Sequence, residues 1–405
     1  MGVYIKLFET QNDFKDEYYG EGYGEPWLSL TLENDDVRYN KSEREKLLET
    51  PLTFEITSDG VIKWNASSNN LTRKIEYKKN GGEWTSITST TAGVNINVVN
   101  GDTVQFRGDN ATYATATNVY NRFSGTTASF NVKGNIMSLI DSDDYAGVSS
   151  LTSSYTFAHL FIDCTGLTDA SKLVLPATTL TDSCYYGMFS GCTSLTKAPE
   201  LPATTLTNAC YFNMFNGCTS ITTAPELPAT TLANYCYCNM FRDCTSLTTT
   251  PELPATTLAE YCYGNMFWGC MSLTTAPELP ATTLAEYCYN YMFWGCTSLT
   301  TTPELPATTL ANYCYQYMFN NCTSITKAPE LPATTLARYC YSNMFAGCTS
   351  LNYNKCLATD ISAMNCTDWW VSGVASSGTF VKASSMTGWD TGANGIPSNW
   401  TVQDA

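Results

Sequence analysis

CTSLTTTPELPATTLAEYCYGNMFWG, residues 244–269, runs directly into CMSLTTAPELPATTLAEYCYNYMFWG, residues 270–295. A 26-residue unit said twice with few changes is a structural repeat, and that reading governs everything around it. Six regular copies begin at Cys192, Cys218, Cys244, Cys270, Cys296 and Cys322. A 28-residue copy (164–191) precedes them, and the copy from Cys348 decays into LNYNKCLATDISAMNCTDWWVSG. Within each copy Leu258, Cys262 and Met266, or their equivalents, stand at i, i+4 and i+8. This spacing predicts a short helix with that stripe inward. The SLTTTPELP piece before it reads as a short strand, because Pro251 and Pro254 cannot donate to a ladder.

The expected architecture is multidomain. Residues 1–48 are an acidic adaptor arm rich in Tyr and Gly. Residues 49–135 alternate apolar and polar residues between Asp-Gly, Asn-Gly-Gly and Asn-Gly-Asp turns, which predicts hairpins in a β-sandwich of fibronectin III or Ig-like strand pattern. Residues 136–163 form an N-terminal cap repeat, 164–373 a leucine-rich-repeat solenoid, and 374–405 a C-terminal cap. Caps are needed because terminal copies have no neighbour on their outer face.

The repeat CTSLTTAPELPATTL…CYNYMF resembles the BspA-type (treponemal) leucine-rich repeat: a Cys, a Leu three later, an apolar-Pro strand end, and a small-residue–Phe pair before the next Cys. Met takes the small-residue place here, and the unit is three residues longer. The resemblance covers residues 138–373 and implies a stacked strand-plus-helix fold; a scaffold of this kind does not fix activity. The order of acidic segment, β domain, repeats and GIPSNWTVQDA ending also resembles proteins of gut Bacteroides-type bacteria and their phages.

Composition removes several functions. A net charge of −16 argues against nucleic acid as a partner. No apolar run is long enough to insert in a membrane as a helix. The 18 cysteines fall mostly into two columns at a step of 26, which reads as reduced core thiols rather than a disulfide framework. With one histidine, His159, and no suitable spacing, neither a metal site nor a cofactor is expected. His159 sits in the apolar FAHLF, as a packed residue would. The acidic run 141–144 and the pair Glu260/Glu286 are the sole hints of the paired carboxylates a glycosidase needs, so the chain is expected not to be an enzyme. The Glu ladder of PELP (Glu200 to Glu330) reads as a solvated edge.

Copies differ at a few places only. Two residues after the second Cys of the unit stand Phe212, Cys238, Gly264, Asn290, Gln316 and Ser342; just after Phe stand Asn216, Arg242, Trp268, Trp294, Asn320 and Ala346. Arg338 varies in a third column, and Tyr291 and Tyr317 replace Asn in a fourth. On a helix the first two columns share an outward face. Phe212, Arg242, Trp268, Asn290, Tyr291, Trp294, Gln316, Tyr317, Asn320 and Arg338 are therefore the expected recognition face, suited to a bacterial surface glycan or protein receptor. The start of the chain shows no secretory signal. A non-catalytic phage fibre or receptor-binding protein is the expected function, located in the virion and attached to other virion proteins through residues 1–48. Such fibres imply a homo-oligomer, with a trimer as the usual state. The alternatives are a cell-surface adhesin and, further off, a carbohydrate-active enzyme.

Overall fold

The computed structural model describes residues 42–405. Most of the expected adaptor arm lies outside the described residues; its end is the helix α1 (Glu43–Leu48). Ten strands follow: β1 (Leu52–Ile56), β2 (Gly60–Ala66), β3 (Lys74–Lys79), β4 (Thr85–Thr88), β5 (Val94–Val98), β6 (Thr103–Arg107), β7 (Ala114–Ala116), β8 (Val119–Phe123), β9 (Phe130–Asn135) and β10 (Leu167–Val174). They make a six-stranded sheet of order β10-β9-β1-β6-β3-β4 and a four-stranded one of order β5-β2-β8-β7. Alternation sets the buried faces: Leu52, Phe54 and Ile56 of β1, and Ile62, Trp64 and Ala66 of β2. Phe54 of the first sheet lies 4.9 Å from Phe123 of the second and stacks on Phe130 at 4.4 Å.

Of the three glycine turns, Asn-Gly-Gly closes the β3–β4 hairpin, with Asn80 and Gly81 at φ 51° and 72°. The Asp-Gly and Asn-Gly-Asp turns instead carry the chain from one sheet to the other, since β1 and β2, like β5 and β6, belong to different sheets.

The first repeat copy grows out of this framework. β10 pairs in parallel with β9, Leu173 opposite Gly134. Backbone N–H groups of Tyr113 and Phe123 donate to the carbonyls of Thr156 and Leu160, each at 2.8 Å, which satisfies carbonyls that no earlier copy could reach. Phe161 continues the aromatic core, 5.8 Å from Phe123.

The expected helix in each copy does not form. Tyr261, Asn265 and Gly269 lie at φ 53°, 54° and 72°, and the same left-handed positions recur in every layer from Tyr155 to Gly373. Between them the chain makes a run of tight turns with two alternating hydrogen-bond roles. Cys262, Gly264, Met266, Trp268 and Cys270 donate three residues back, as in Met266 to Tyr263 at 3.2 Å. Tyr261, Tyr263, Asn265, Phe267 and Gly269 donate to the next copy, as in Asn265 to Asn290 at 2.8 Å. A helix would spend every N–H within its own copy, whereas this arrangement spends half of them on stacking. A four-residue turn unit produces the same i, i+4, i+8 apolar spacing as a helix, and that coincidence misled the sequence-based expectation.

Strands are also sparser than expected. In the central copies the extended pieces meet through isolated bridges such as Thr223–Thr249 and Thr275–Thr301, because the PELP prolines offer no N–H. Continuous pairing returns where proline is scarcer, in the parallel sheet β11 (Lys327–Leu331), β12 (Tyr353–Cys356), β13 (Thr379–Lys382) and β14 (Thr401–Asp404). Each copy thus buries one apolar stripe against the next, here Leu258, Cys262, Tyr263, Met266, Phe267, Cys270 and Leu273. All eighteen cysteines are unpaired and buried. Those of the second column donate to a phenylalanine carbonyl one copy back, as Cys270 Sγ does to Phe241 at 3.1 Å. The last copy is closed by Trp370, stacked on Tyr341 at 6.2 Å and on Trp389 at 5.4 Å. No helix among the described residues is long and apolar enough to cross a membrane.

Candidate recognition surface

In the turn run of each copy, residues emerge in pairs. Tyr261, Asn265 and Trp268 are half-buried, while Cys262, Tyr263, Met266 and Phe267 between them are fully inside. The left-handed residues (Tyr261, Asn265 and Gly269) and those before the first and third of them (Glu260 and Trp268) reach the surface, whereas Gly264, before the second, is buried, so five columns run side by side along one face. The columns touch: Phe212 lies 6.5 Å from Tyr235, and Trp268 lies 5.0 Å from Tyr291.

The structure gathers half of the expected residues into one cluster. Arg242 places its guanidinium 4.2 Å from the Trp268 ring centre, with Asp243 3.3 Å from its Nε. Trp294 meets Trp268 at 4.6 Å, and Tyr291 stacks on Tyr317 at 4.4 Å. Burial and the neighbouring Tyr317 phenol push the Tyr291 hydroxyl up to about 12, so it stays a neutral donor. Phe212 lies apart from this cluster, stacked on Tyr186 at 4.8 Å. Arg338 is exposed and sits over Tyr313 and Tyr339 at 5.7 and 5.4 Å.

Two expected members are not on the surface. Asn290 and Asn320 are 4% and 8% exposed. Asn290 donates to Gln316 Oε1 at 3.0 Å, and Asn320 to the Asn343 carbonyl at 3.3 Å, so both amides join one layer to the next. The burial of Asn290 follows from the missing helix: the column two residues after Cys is tucked beside the neighbouring turn, where Cys238 and Gly264 also lie buried. Asn320 belongs to the column after Phe, whose other members from Asn216 to Ala346 are half-buried. Gln316 is half-buried as the partner of Asn290.

Sequence reasoning missed the most regular feature of the face. Tyr235, Tyr261, Tyr287, Tyr313 and Tyr339 stack in one column at 4.8, 4.3, 4.4 and 4.9 Å, within 12° of parallel. All five hold left-handed backbone, where bulky residues are disfavoured. Burial and adjoining phenols raise the Tyr261 and Tyr287 hydroxyls above their ordinary value. The signal was legible, since this place reads Ser183, Ala209 and then five tyrosines. Also missed was Trp369, 55% exposed at φ 53°, near Met364 in sequence, itself 59% exposed. Aligning Cys366 with Cys340, one step of 26 earlier, would have placed it in the column of Tyr291, Tyr317 and Asn343.

The other residues singled out in the sequence have these surroundings. His159 is 6% exposed between Tyr120 and Tyr186, at 4.6 and 5.2 Å, and burial lowers its pKa to about 4. In the 141–144 run, Asp141 Oδ1 accepts the backbone N–H groups of Asp143 and Asp144, which closes a local turn. Glu286 accepts from Asn312 at 2.8 Å across copies. The Glu ladder of PELP is exposed, with Glu200 paired to Arg44 at 2.6 Å and Glu330 to Lys355 at 2.9 Å.

A family model described as a BspA type leucine rich repeat region matches residues 159–300 and 263–363, in six copies. No curated protein and no solved structure matches the chain.

Proposed function

This chain belongs to the BspA-type leucine-rich-repeat family, and from that premise we propose that it is a non-catalytic recognition protein. The carrying observation is the division of each copy into a constant inside and a changing outside. Cys, Tyr, Met and Phe stay fixed within, while Arg242, Trp268, Tyr291, Trp294 and Tyr317 occupy sites that hold Asn, Gly or Ala in other copies. Arg, Trp and Tyr are the residues that anchor partners most often. In this reading the two facing sheets are a β-sandwich spacer, the stacked copies are a solenoid, and the outer face meets a glycan or protein on a bacterial surface.

The finer proposal is a virion fibre or receptor-binding protein, attached through residues 1–48 and assembled as a homo-oligomer. Eighteen unpaired buried thiols suit folding in a reducing cytoplasm, which favours a virion component over an exported adhesin. Labelled full-length chain is expected to bind a subset of a panel of bacterial cells saturably. Absence of binding to every cell tested overturns recognition. Immunogold labelling is expected on virions; label confined to the cell envelope overturns the virion assignment alone.

A further inference from the structure

The ring faces at the centre of the aromatic cluster are already occupied, and Trp294 and Tyr317 at its edge each pack against one ring. Arg242 comes from the preceding copy and Tyr291 from the following one, so Trp268 is covered on both sides. Tyr261, Tyr287 and Tyr313 are likewise each held between two rings, and only their edges face out. Trp84 is covered by Lys78 and Arg107, at 4.8 and 4.3 Å, and Trp370 and Trp389 stack on each other. Trp64 and Trp400 are buried.

Trp369 is the exception among the described tryptophans. It is 55% exposed, and no ring or cation lies against its indole among the described residues. Its backbone is fixed rather than loose: the Trp369 N–H donates to Asn394 Oδ1 at 2.7 Å. It also holds a left-handed conformation that a bulky residue adopts at a cost, where Asn343 stands one copy earlier and Gly187 six copies before that. Val371, and Ala393 next to Asn394, line an open depression of about 230 Å³ together with Ser372, Ser398 and Asn399. No charged residue lines it. Asn365, in the same copy as Trp369, is exposed and oriented by its 2.6 Å bond to the Tyr339 hydroxyl.

We propose that Trp369 is the sugar-stacking platform of the recognition surface. A pyranose ring of a neutral bacterial surface glycan lies on the bare indole face, and hydroxyl and amide groups of Asn365, Ser372, Ser398 and Asn399 meet its hydroxyls. This deepens the recognition reading and rests on it. A bare aromatic face, with an uncharged hollow carrying serine hydroxyls that begins two residues further along the chain at Val371, matches the two-sided chemistry of a sugar, apolar on its C–H face and hydrogen-bonding at its rim.

The test uses full-length chain and intact bacterial cells that it binds. Trp369→Ala is expected to weaken binding about tenfold, as loss of one aromatic stack would. Trp369→Phe keeps part of it, and Trp84→Ala, outside the repeats and already covered by Lys78 and Arg107, stays within about twofold. Periodate oxidation of the cells abolishes binding and protease treatment does not. Unchanged binding by Trp369→Ala overturns the platform while leaving recognition standing. Loss of binding after protease but not after periodate identifies a protein receptor and overturns the sugar. If the wild-type chain binds no cell, recognition falls and this proposal with it. An unchanged melting curve for Trp369→Ala separates lost contact from lost fold.

Discussion

Five consecutive tyrosines in left-handed backbone pose an energetic question that a single side chain can answer. Each costs roughly 1–2 kcal/mol relative to ordinary backbone, where Asn or Gly would cost less. Stacking on neighbours at 4.3 and 4.4 Å returns about 0.5–1.5 kcal/mol per pair to Tyr287. The terms nearly cancel, so Tyr287→Asn is expected to change stability by less than about 1 kcal/mol in urea unfolding. Phe293→Ala, in the fully buried column, is expected to cost about 3–5 kcal/mol in the same measurement. A large loss from Tyr287→Asn would show that the exposed ladder is structural. The cysteines make a second residue-level case. Burial pushes the Cys296 thiol up to about 12 and the Cys270 thiol well above its ordinary value, and the thiolate is the reactive form. Iodoacetamide is therefore expected to leave the folded chain almost unlabelled and to reach all eighteen thiols after denaturation, as mass spectrometry would count.

At the scale of one repeat element, the turn run depends on its left-handed corners. Gly269 and Gly295 occupy the same corner in adjacent copies, at φ 72° and 71°. A Cβ at Gly295 meets nothing within 4 Å, so Gly295→Ala carries the conformational strain alone, about 1–2 kcal/mol. A Cβ at Gly269 comes to 2.4 Å from Asp243 Oδ1, so Gly269→Ala must also displace that side chain and is expected to melt lower. Gly295→Asn is expected to be the mildest of the three, because Asn321 already holds this corner at φ 60°. Differential scanning calorimetry of the three variants ranks them. This corner is also where the sequence was most informative and least used. The place before the second Cys holds only Gly, Asp or Asn from Asp163 to Gly373, the residues that tolerate positive φ. Copy length and inner stripe could be read from periodicity alone. The turn geometry could not, since four-residue corners and a helix bury the same positions. Asn290 was misplaced by that same ambiguity, whereas Asn320 is buried by its own bonds to Asn343 and Asn321. Trp369 stayed hidden because the turn run of its copy keeps only Cys366 and the corner Gly373 of the repeat pattern.

Across the whole molecule, two aromatic columns tie the sheets to the repeats. One runs from Phe123 through Phe161 and Phe189 to Phe345, and the other from Tyr113 through Phe157 and Tyr185 to Trp370. His159 stands beside the start of both, where β8 meets the first copy, with Arg122 and Asp163 paired nearby at 3.2 Å. Neither ring nitrogen makes a hydrogen bond of normal geometry, and burial disfavours the charged imidazolium, against opposing backbone contributions from Gly187 and Thr117. Burial sets the folded pKa near 4, against an ordinary 6.5; Arg122 lowers it further and Asp163 opposes. Between those values the unfolded chain holds a proton that the folded chain does not, so stability falls as pH drops below about 6.5 and levels off below about 4. From pH 7 to about pH 5 the loss attributable to this one residue is about 2 kcal/mol. His159→Asn keeps a residue at home in the left-handed backbone that His159 adopts at φ 60°, and it removes the titration. The variant is expected to lose less stability than the wild type over that interval, in urea unfolding followed at both pH values. Equal losses would move the acid sensitivity away from the junction and onto the carboxylates of the surface.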